Sequence, residues 1–443
     1  MYFCLWRLLL CIHLQLGLES QAFYSSSHRS FHKQYASSSE LFFSQSHSEN
    51  NSLDGVTHLT NIERVLCLSD LHTDHAENMK WLENRTSIRD DLGETDLIVV
   101  AGDISHDLET FEKSLSLLMK RNSKVLFLPG NHEAWLSAHE LNDGNSLRKL
   151  DRVYEICKTL GVLTGCTLVG GTEQTPFPLW IVPLESWYDG SLSLEGCEDL
   201  CDDFIKWPWV DFIRCRWPQF PQMGGPNAKI PSGLADYFVN RNQAIISLLR
   251  TAMKQFEATT QCNNAGAVMT VSHFLPNKQC LPDWKDLNAP IFLRHQWLEH
   301  GAAHMSAKFA KVAGTILLDE QIRAEIKADE GVRHIHVFGH SHRPKDFEFQ
   351  NVRYVHNPLG KPREREIHMV SPDIDLQVVW STRNGEVPGE TVIRYWEEKG
   401  GGLKALVERL ANSPRRSRYS RKHAKMKREV AHQPQLNQQI NRQ

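Results

Sequence analysis

The chain has 443 residues, 41% of them hydrophobic, with 50 Lys+Arg against 53 Asp+Glu and a formal net charge of −3. That is apolar enough for a sizeable core, and long enough for two or three domains or for one large α/β domain with insertions. A charge this near zero excludes a chain drawn as a whole to nucleic acid or acidic membrane, although its C-terminal stretch is basic.

Tyr2–Leu18 is apolar apart from Arg7, His13 and Gln15, and it is short for a membrane span. We read residues 1–22 as a signal-like segment. Gln21–Ser39 is Ser-rich, carries His28, Arg29, His32 and Lys33, and has no acid. That is the composition of an organelle transit peptide. With Ala22-Phe23 at the junction, the pair resembles the bipartite plastid presequences of algae with secondary plastids. The other reading is a secretory signal followed by a disordered linker over residues 23–57. The expected location is therefore a plastid or the secretory pathway. No later stretch is long and apolar enough to span a bilayer, so no transmembrane span is expected in the mature protein.

From Asn61 the pattern becomes globular, and residues 58–400 are expected to form one α/β domain. Val65–Ser69 predicts a strand, Glu77–Asn84 a helix and Leu97–Ala101 a strand. Leu108–Met119 then predicts a helix and Lys124–Leu128 a strand. This alternation is a βαβαβ unit with a parallel sheet. Leu147–Leu160 is amphipathic, and Leu163–Val169 and Trp180–Pro183 predict further strands. Asp189–Leu234 breaks the pattern with Trp207, Pro208, Trp209, Trp217, Pro218 and Pro221. It reads as an aromatic-rich cap insertion at about 185–235, or alternatively as a satellite cluster under a long loop. Tyr237–Ala258 predicts a long helix, Ala267–Ser272 a strand, and Trp284–Glu330 mostly helix. His334–Phe338, Val352–His356 and Leu376–Trp380 predict strands, and Arg394–Leu410 a last helix. Residues 401–443 end that helix and continue as a basic disordered tail. Cys197, Cys201 and Cys215 have no zinc-pair spacing; they are either reduced structural thiols or a disulfide pair with one left over.

Five strand-like runs break into polar residues: VLCLSDLH, DLIVVAGDIS, VLFLPGNHE, AVMTVSHF and IHVFGHSH. They deliver Asp70, His72, Asp103, Asn131, His132, His273, His340 and His342 to strand ends, where α/β sheets gather their ligands. Carboxylate, amide and imidazole donors in this mixture suit first-row divalent metals. Eight groups are too many for one ion and right for two ions sharing a carboxylate.

Asp70-x-His72, Gly102-Asp103, Gly130-Asn131-His132-Glu133, His273 and Gly339-His340-x-His342, in this order, resemble the calcineurin-like metallophosphoesterase family over roughly Arg64 to His356. The resemblance implies a β-sandwich of mixed sheets flanked by helices, a four-layer αββα fold. It implies two divalent metal ions, manganese, iron, zinc or a mixture. One is held by Asp70, His72, Asp103 and His342, the other by Asp103, Asn131, His273 and His340, with Asp103 bridging. A hydroxide between ions roughly 3.5–4 Å apart then attacks phosphorus directly. His132 assists the leaving oxygen, help typically worth about 10²–10⁴-fold.

Departures narrow the subfamily. The position three residues after Asp103 is His106, not the tyrosine of purple acid phosphatases nor the acid of Ser/Thr protein phosphatases. Asp107 or Glu133 could replace that acid as the carboxylate beside His132. Asp74 and His75 are either contacts behind the ligands or the start of the next helix, and Arg343 could reach a phosphate oxygen. His336 reads as a satisfied core residue, and His356, ending a strand, could approach the site. The expected activity is hydrolysis of a small phosphate mono- or diester. A nuclease using the basic tail is a less favoured alternative, and a non-catalytic metal-binding scaffold is disfavoured by the intact ligand set.

Overall fold

The computed structural model describes residue 53 and residues 55–88, 92–120, 123–142, 144–259, 266–281, 303–325, 332–366 and 370–389. The signal-like and transit-like segments, the expected helix at Arg394–Leu410 and the basic tail lie outside the described residues.

In chain order the elements are β1 (Thr57–Leu59), β2 (Arg64–Leu68), α1 (Ala76–Ile88), β3 (Asp96–Ala101), α2 (Leu108–Leu118), β4 (Lys124–Leu128), α3 (Asn131–Ala134) and α4 (Ser146–Leu160). They continue as β5 (Thr167–Val169), β6 (Leu179–Pro183), α5 (Val210–Arg214), α6 (Leu234–Thr259), β7 (Ala267–Val271), α7 (Ala303–Val312) and α8 (Ile316–Glu325). The last are β8 (Arg333–Val337), β9 (Lys345–Phe349), β10 (Val352–His356), α9 (Pro362–Glu366), β11 (Gln377–Ser381) and β12 (Gly385–Glu386).

Two mixed sheets result. The smaller runs β12-β11-β2-β3-β4, with β2, β3 and β4 parallel as the βαβαβ reading requires. The larger runs β1-β5-β6-β7-β8-β10-β9, with β6, β7, β8 and β10 parallel. Period-two alternation decides what each strand faces. Val65, Cys67, Leu97, Val99, Ala101 and Leu126 meet Leu179, Ile181, Met269, Val271, Ile335 and Val337 between the sheets. Leu66, Leu68, Ile98, Val100, Val125 and Phe127 point the other way, onto Leu82 of α1, Phe111 and Leu115 of α2 and Val153 of α4. On the far side, Leu168, Trp180, Val182 and Val268 pack on Ile246, Leu249 and Ala252 of α6 and Leu318 and Ile322 of α8. The layers are therefore helix, sheet, sheet, helix, the αββα arrangement expected.

Differences from the sequence reading are local. The Leu163–Val169 run is a strand only over Thr167–Val169; Leu163 makes an isolated bridge to Leu126. The run from Trp284 lies outside the described residues up to 302, and α7 and α8 follow it. β1, β9 and β12 carry no strong apolar run and were not anticipated. All seven described cysteines are free thiols, Cys197, Cys201 and Cys215 among them.

Parallel strands align their carboxyl ends. β2, β3 and β4 of one sheet and β7, β8 and β10 of the other end on the same edge of the sandwich, and the loops leaving them build the site. The loops continue each other's ladders: Asp70 N donates to Gly102 O (3.0 Å), His72 N to Asp103 O (2.9 Å) and Gly339 N to His273 O (3.0 Å).

Candidate metal centre

The turns that leave β2, β3 and β8 force unusual backbone. Asp70, His72, Asp103, His340 and His342 all have left-handed φ, at 50°, 43°, 57°, 73° and 51°. Outside these five, the described non-glycine residues in that region are Gln350 and Asn351, in the turn between β9 and β10. Left-handed backbone costs an ordinary L-residue roughly 1–2 kcal/mol and an aspartate less, so the three histidines carry most of the strain. Such strain persists where surrounding structure over-determines it, and it concentrates at functional sites. Close approach needs glycine as well: a Cβ on Gly130 would lie 2.3 Å from Asp103 Oδ1, and one on Gly102 would lie 2.5 Å from His273 Nδ1.

Ligand atoms of Asp70, His72, Asp103 and His342 lie within 4.8 Å of one another. His72 Nε2 faces His342 Nε2 at 2.8 Å, and His342 Nε2 is 3.4 Å from Asp70 Oδ1. His72 Nε2 is 4.0 Å from Asp103 Oδ2. On the other side of Asp103, His273 Nε2 is 3.4 Å from Oδ1. Asn131 Oδ1 lies 3.0 Å from His273 Nε2 and 3.1 Å from His340 Nδ1. The seven expected ligands thus converge as two groups that share Asp103.

The far nitrogen of three imidazoles meets an acceptor. His273 Nδ1 lies 2.9 Å from Ala101 O, His340 Nε2 3.0 Å from Val312 O, and His342 Nδ1 2.9 Å from Glu364 Oε2. A carbonyl or carboxylate only accepts, so those nitrogens carry the protons, as in the outer partners of metal-bound histidines. The nitrogens of His273 and His340 that face Asn131 are then lone-pair donors. Asn131 Nδ2 donates to Asp211 Oδ1 (2.8 Å), which fixes the amide with its oxygen inward. Two lone pairs that face Asn131 Oδ1 at 3.0 and 3.1 Å with no proton between repel it, and a cation among the three atoms turns the repulsion into ligation. The donor set therefore fits a divalent metal at this end.

Electrostatics agree. Burial, together with Glu133 and Asp70, pushes the Asp103 carboxyl well up, so its ionised form needs nearby positive charge. Burial pushes His132 and His340 well down, and His273 down to about 4. His342 is the exception. Burial works against its charge, but Glu364 and Asp70 prevail and hold it at about 9, so a proton stands in for positive charge there.

His132 rests on the Trp135 ring, centroids 3.5 Å apart, with Nε2 3.6 Å from Asp103 Oδ2. Neither proposed carboxylate partner reaches it. Asp107 caps α2, accepting from Thr110 N, and Glu133 is engaged with four backbone N–H groups. Those are Asp103 (3.0 Å), Ile104 (2.7 Å), Ser105 (3.1 Å) and Gly130 (2.7 Å), so Glu133 staples the Asp103 loop to the Asn131 loop. Asp74 does not cap α1; it accepts from Ser105 Oγ (2.7 Å) and pairs with His106 Nδ1 (2.8 Å). Arg343 is buried and its Nη1 turns back to His342 O.

Four positions were missed or undervalued. His356 Nε2 is 3.1 Å from Asp70 Oδ2 and fixes that carboxylate from behind. Its place at a strand end was the available signal. Glu364, Glu133 as a staple and Asp211 had no sequence signal. His336 is a core residue as expected, bonded to Thr270 and Ser272. The aromatic insertion leans on the site: the Trp209 ring is 6.0 Å from that of His340, and Asp211 binds Asn131.

Residues 63–212 match the family model described as calcineurin-like phosphoesterase. A curated relative, the [acyl-carrier-protein] phosphodiesterase PptH of Mycobacterium tuberculosis, is 32% identical over 137 residues, 29% of this chain and 39% of its own. This chain therefore spans about two-fifths of the length of that relative. Among solved structures, the phosphopantetheinyl hydrolase PptH of M. tuberculosis aligns with a TM-score of 0.49 at 22% identity, covering 72% of this chain and 97% of that one. A putative 5'-nucleotidase from Staphylococcus aureus aligns with a TM-score of 0.30 at 12% identity, covering 71% and 52%.

Proposed function

The chain belongs to the calcineurin-like phosphoesterases, and from that premise we propose that it is a dinuclear metal-dependent phosphodiesterase acting on a phosphopantetheine-type ester. The observation that carries the hydrolase reading is the convergence of seven ligands on a shared Asp103. The curated relative's name supports the diester class and the carrier-protein substrate.

Two divalent ions held there would supply Lewis-acid charge to the phosphate oxygens and a water whose pKa falls to about 7. The chain's own residues do the rest. Asp70 and Asp103 bring two negative charges and the remaining ligands are neutral donors, so the site stays attractive to an anionic phosphate. Asp103 holds the two ligand groups in one frame. His132, buried and neutral in the free protein, is placed beside Asp103. An anionic phosphate docking next to it favours its protonated form, and that proton goes to the leaving oxygen. For a phosphopantetheine-type diester, the leaving oxygen is a serine hydroxyl of the carrier protein. We further propose that residues 1–22 are a signal-like segment and residues 23–57 either the transit-like second part of a plastid presequence or a linker behind a secretory signal, on the composition given above.

The test uses protein stripped of metal and reloaded with manganese, iron or zinc. Incubation with a phosphopantetheinylated acyl-carrier protein is read by mass spectrometry for loss of the prosthetic arm, beside p-nitrophenyl and bis(p-nitrophenyl) phosphate. Loss of the arm, abolished by Asp103→Asn, supports the proposal. Turnover of the monoester alone refutes the diester reading, and binding of fewer than two ions refutes the dinuclear one.

A further inference from the structure

We propose that Asp211, from the aromatic insertion, is a positioning residue that sets the metal-binding amide of Asn131 and the bed of His132 together, so that the second metal subsite is completed by the insertion. This rests on the dinuclear reading above and adds to it a part of the chain outside the strand-end motifs.

Asp211 lies on α5, 80 residues from Asn131 in sequence and 2% exposed. Its Oδ1 accepts from Asn131 Nδ2 at 2.8 Å and from Trp135 Nε1 at 2.6 Å, and its Oδ2 accepts from Trp209 Nε1 at 2.8 Å. Tyr188, at the start of the insertion, also donates to it. Every group that reaches Asp211 is a donor, and a carboxylate is the side chain of that size that accepts from all of them.

Two consequences follow from one carboxylate. An amide can present either end to a metal, and only its oxygen ligates. Asp211 accepts from the nitrogen end, so the oxygen end stays toward His273 and His340. The same oxygen holds the indole of Trp135, whose ring carries His132 at 3.5 Å between centroids. A displacement of α5 therefore acts on Asn131 and on the ring beneath His132 together. The insertion is placed to report its own packing to the centre.

The experiment titrates metal-free protein with Mn²⁺, reading stoichiometry and affinity by calorimetry and Mn–Mn coupling by electron paramagnetic resonance. Wild type is expected to take two ions and show the coupled signal. Asp211→Asn, which presents a donor where donors already crowd, is expected to keep the first affinity and weaken the second about 10–100-fold, the usual loss for an outer partner of a ligand. The coupled signal should vanish at metal concentrations that saturate wild type. Two ions bound as tightly as in wild type overturn the inference. So does equal loss of both, which marks general damage. If Asp211→Asn does not fold by circular dichroism, Trp209→Phe decides. It removes one bond to Oδ2, and a second ion about fivefold weaker, the scale of one hydrogen bond, supports the inference, while an unchanged one overturns it. A wild type that binds a single ion instead refutes the dinuclear reading itself, and this inference falls with it.

Discussion

Glu364→Gln offers a sharp test of the electrostatics, because two effects of the same carboxylate oppose each other and separate with pH. Glu364 Oε2 holds His342 Nδ1 at 2.9 Å and is itself drawn down to about 2 against its burial. With Asp70 it keeps His342 at about 9. A metal at Nε2 must displace that proton, so near pH 7 the competition weakens binding about a hundredfold, two units at a factor of ten each. Removing the carboxylate relieves the competition, but it also removes the partner that aims the ring, a loss of about 10–100-fold. Near pH 7 the two nearly cancel. Near pH 9 the proton is half gone, the competition has shrunk to about twofold, and the loss of aim dominates. The assay is anaerobic Mn²⁺ titration from pH 7 to 9. Wild type should gain affinity over this range with a slope about one proton steeper than Glu364→Gln, and the variant should fall behind by about 10–100-fold at the top. Parallel slopes would refute the reasoning. The metal-free protein carries a companion signature. The raised His342 contributes stability that is fully present below about 6.5 and disappears as pH rises through about 9, on the order of 3 kcal/mol. The depressed Glu364 reports the same pair from the acid side. Its share is present above about 4.5 and lost as pH falls through about 2.

Other substitutions separate chemistry from scaffold. His132→Ala should lower kcat by about 10²–10⁴ while two ions still bind, measured by steady-state kinetics beside metal analysis; an unchanged kcat would remove His132 from the leaving-group role. Gly130→Ala places a Cβ 2.3 Å from Asp103 Oδ1 and should lose metal binding even where circular dichroism shows a folded chain; retained stoichiometry would show the loop can give way. Arg353→Met removes the guanidinium that holds both oxygens of Asp346 at 2.8 and 2.7 Å beneath the sheet edge and leaves that buried carboxylate the amide of Gln377 at 2.9 Å. Thermal unfolding should show a loss of about 3–5 kcal/mol with the metal site intact, and a loss under 1 kcal/mol would mean that Gln377 suffices for the carboxylate.

What was legible in the sequence follows from what is local. Leu97–Ala101 is apolar on both faces because β3 lies between β2 and β4 and between helices and the second sheet, so a continuous run marked it. The candidate ligands could be read because each follows its strand directly, and a parallel arrangement brings such ends together. The partners behind them could not. His356 meets Asp70 across 286 residues, Asp211 meets Asn131 across 80, and Glu364 comes from a five-residue helix with no apolar pattern. The edge strand β9 reads Lys-Asp-Phe-Glu-Phe, whose charges suit an edge and hide a strand. Glu133 looked like a catalytic acid's neighbour and is a backbone staple, because four N–H groups from two turns surround it.

The left-handed turns under five of the candidate ligands also decide what sequence drift the site can absorb. Asparagine, aspartate and glycine enter that backbone region with little penalty, and β-branched residues do not. A ligand lost to asparagine leaves a folded chain with a vacant coordination position, free to persist and acquire another use. A ligand lost to valine or isoleucine endangers the turn before it touches the chemistry. Descendants of this chain that have abandoned catalysis should therefore show asparagine, aspartate or glycine at 70, 72, 103, 340 and 342, and a library randomised there should sort by backbone tolerance first and by metal second.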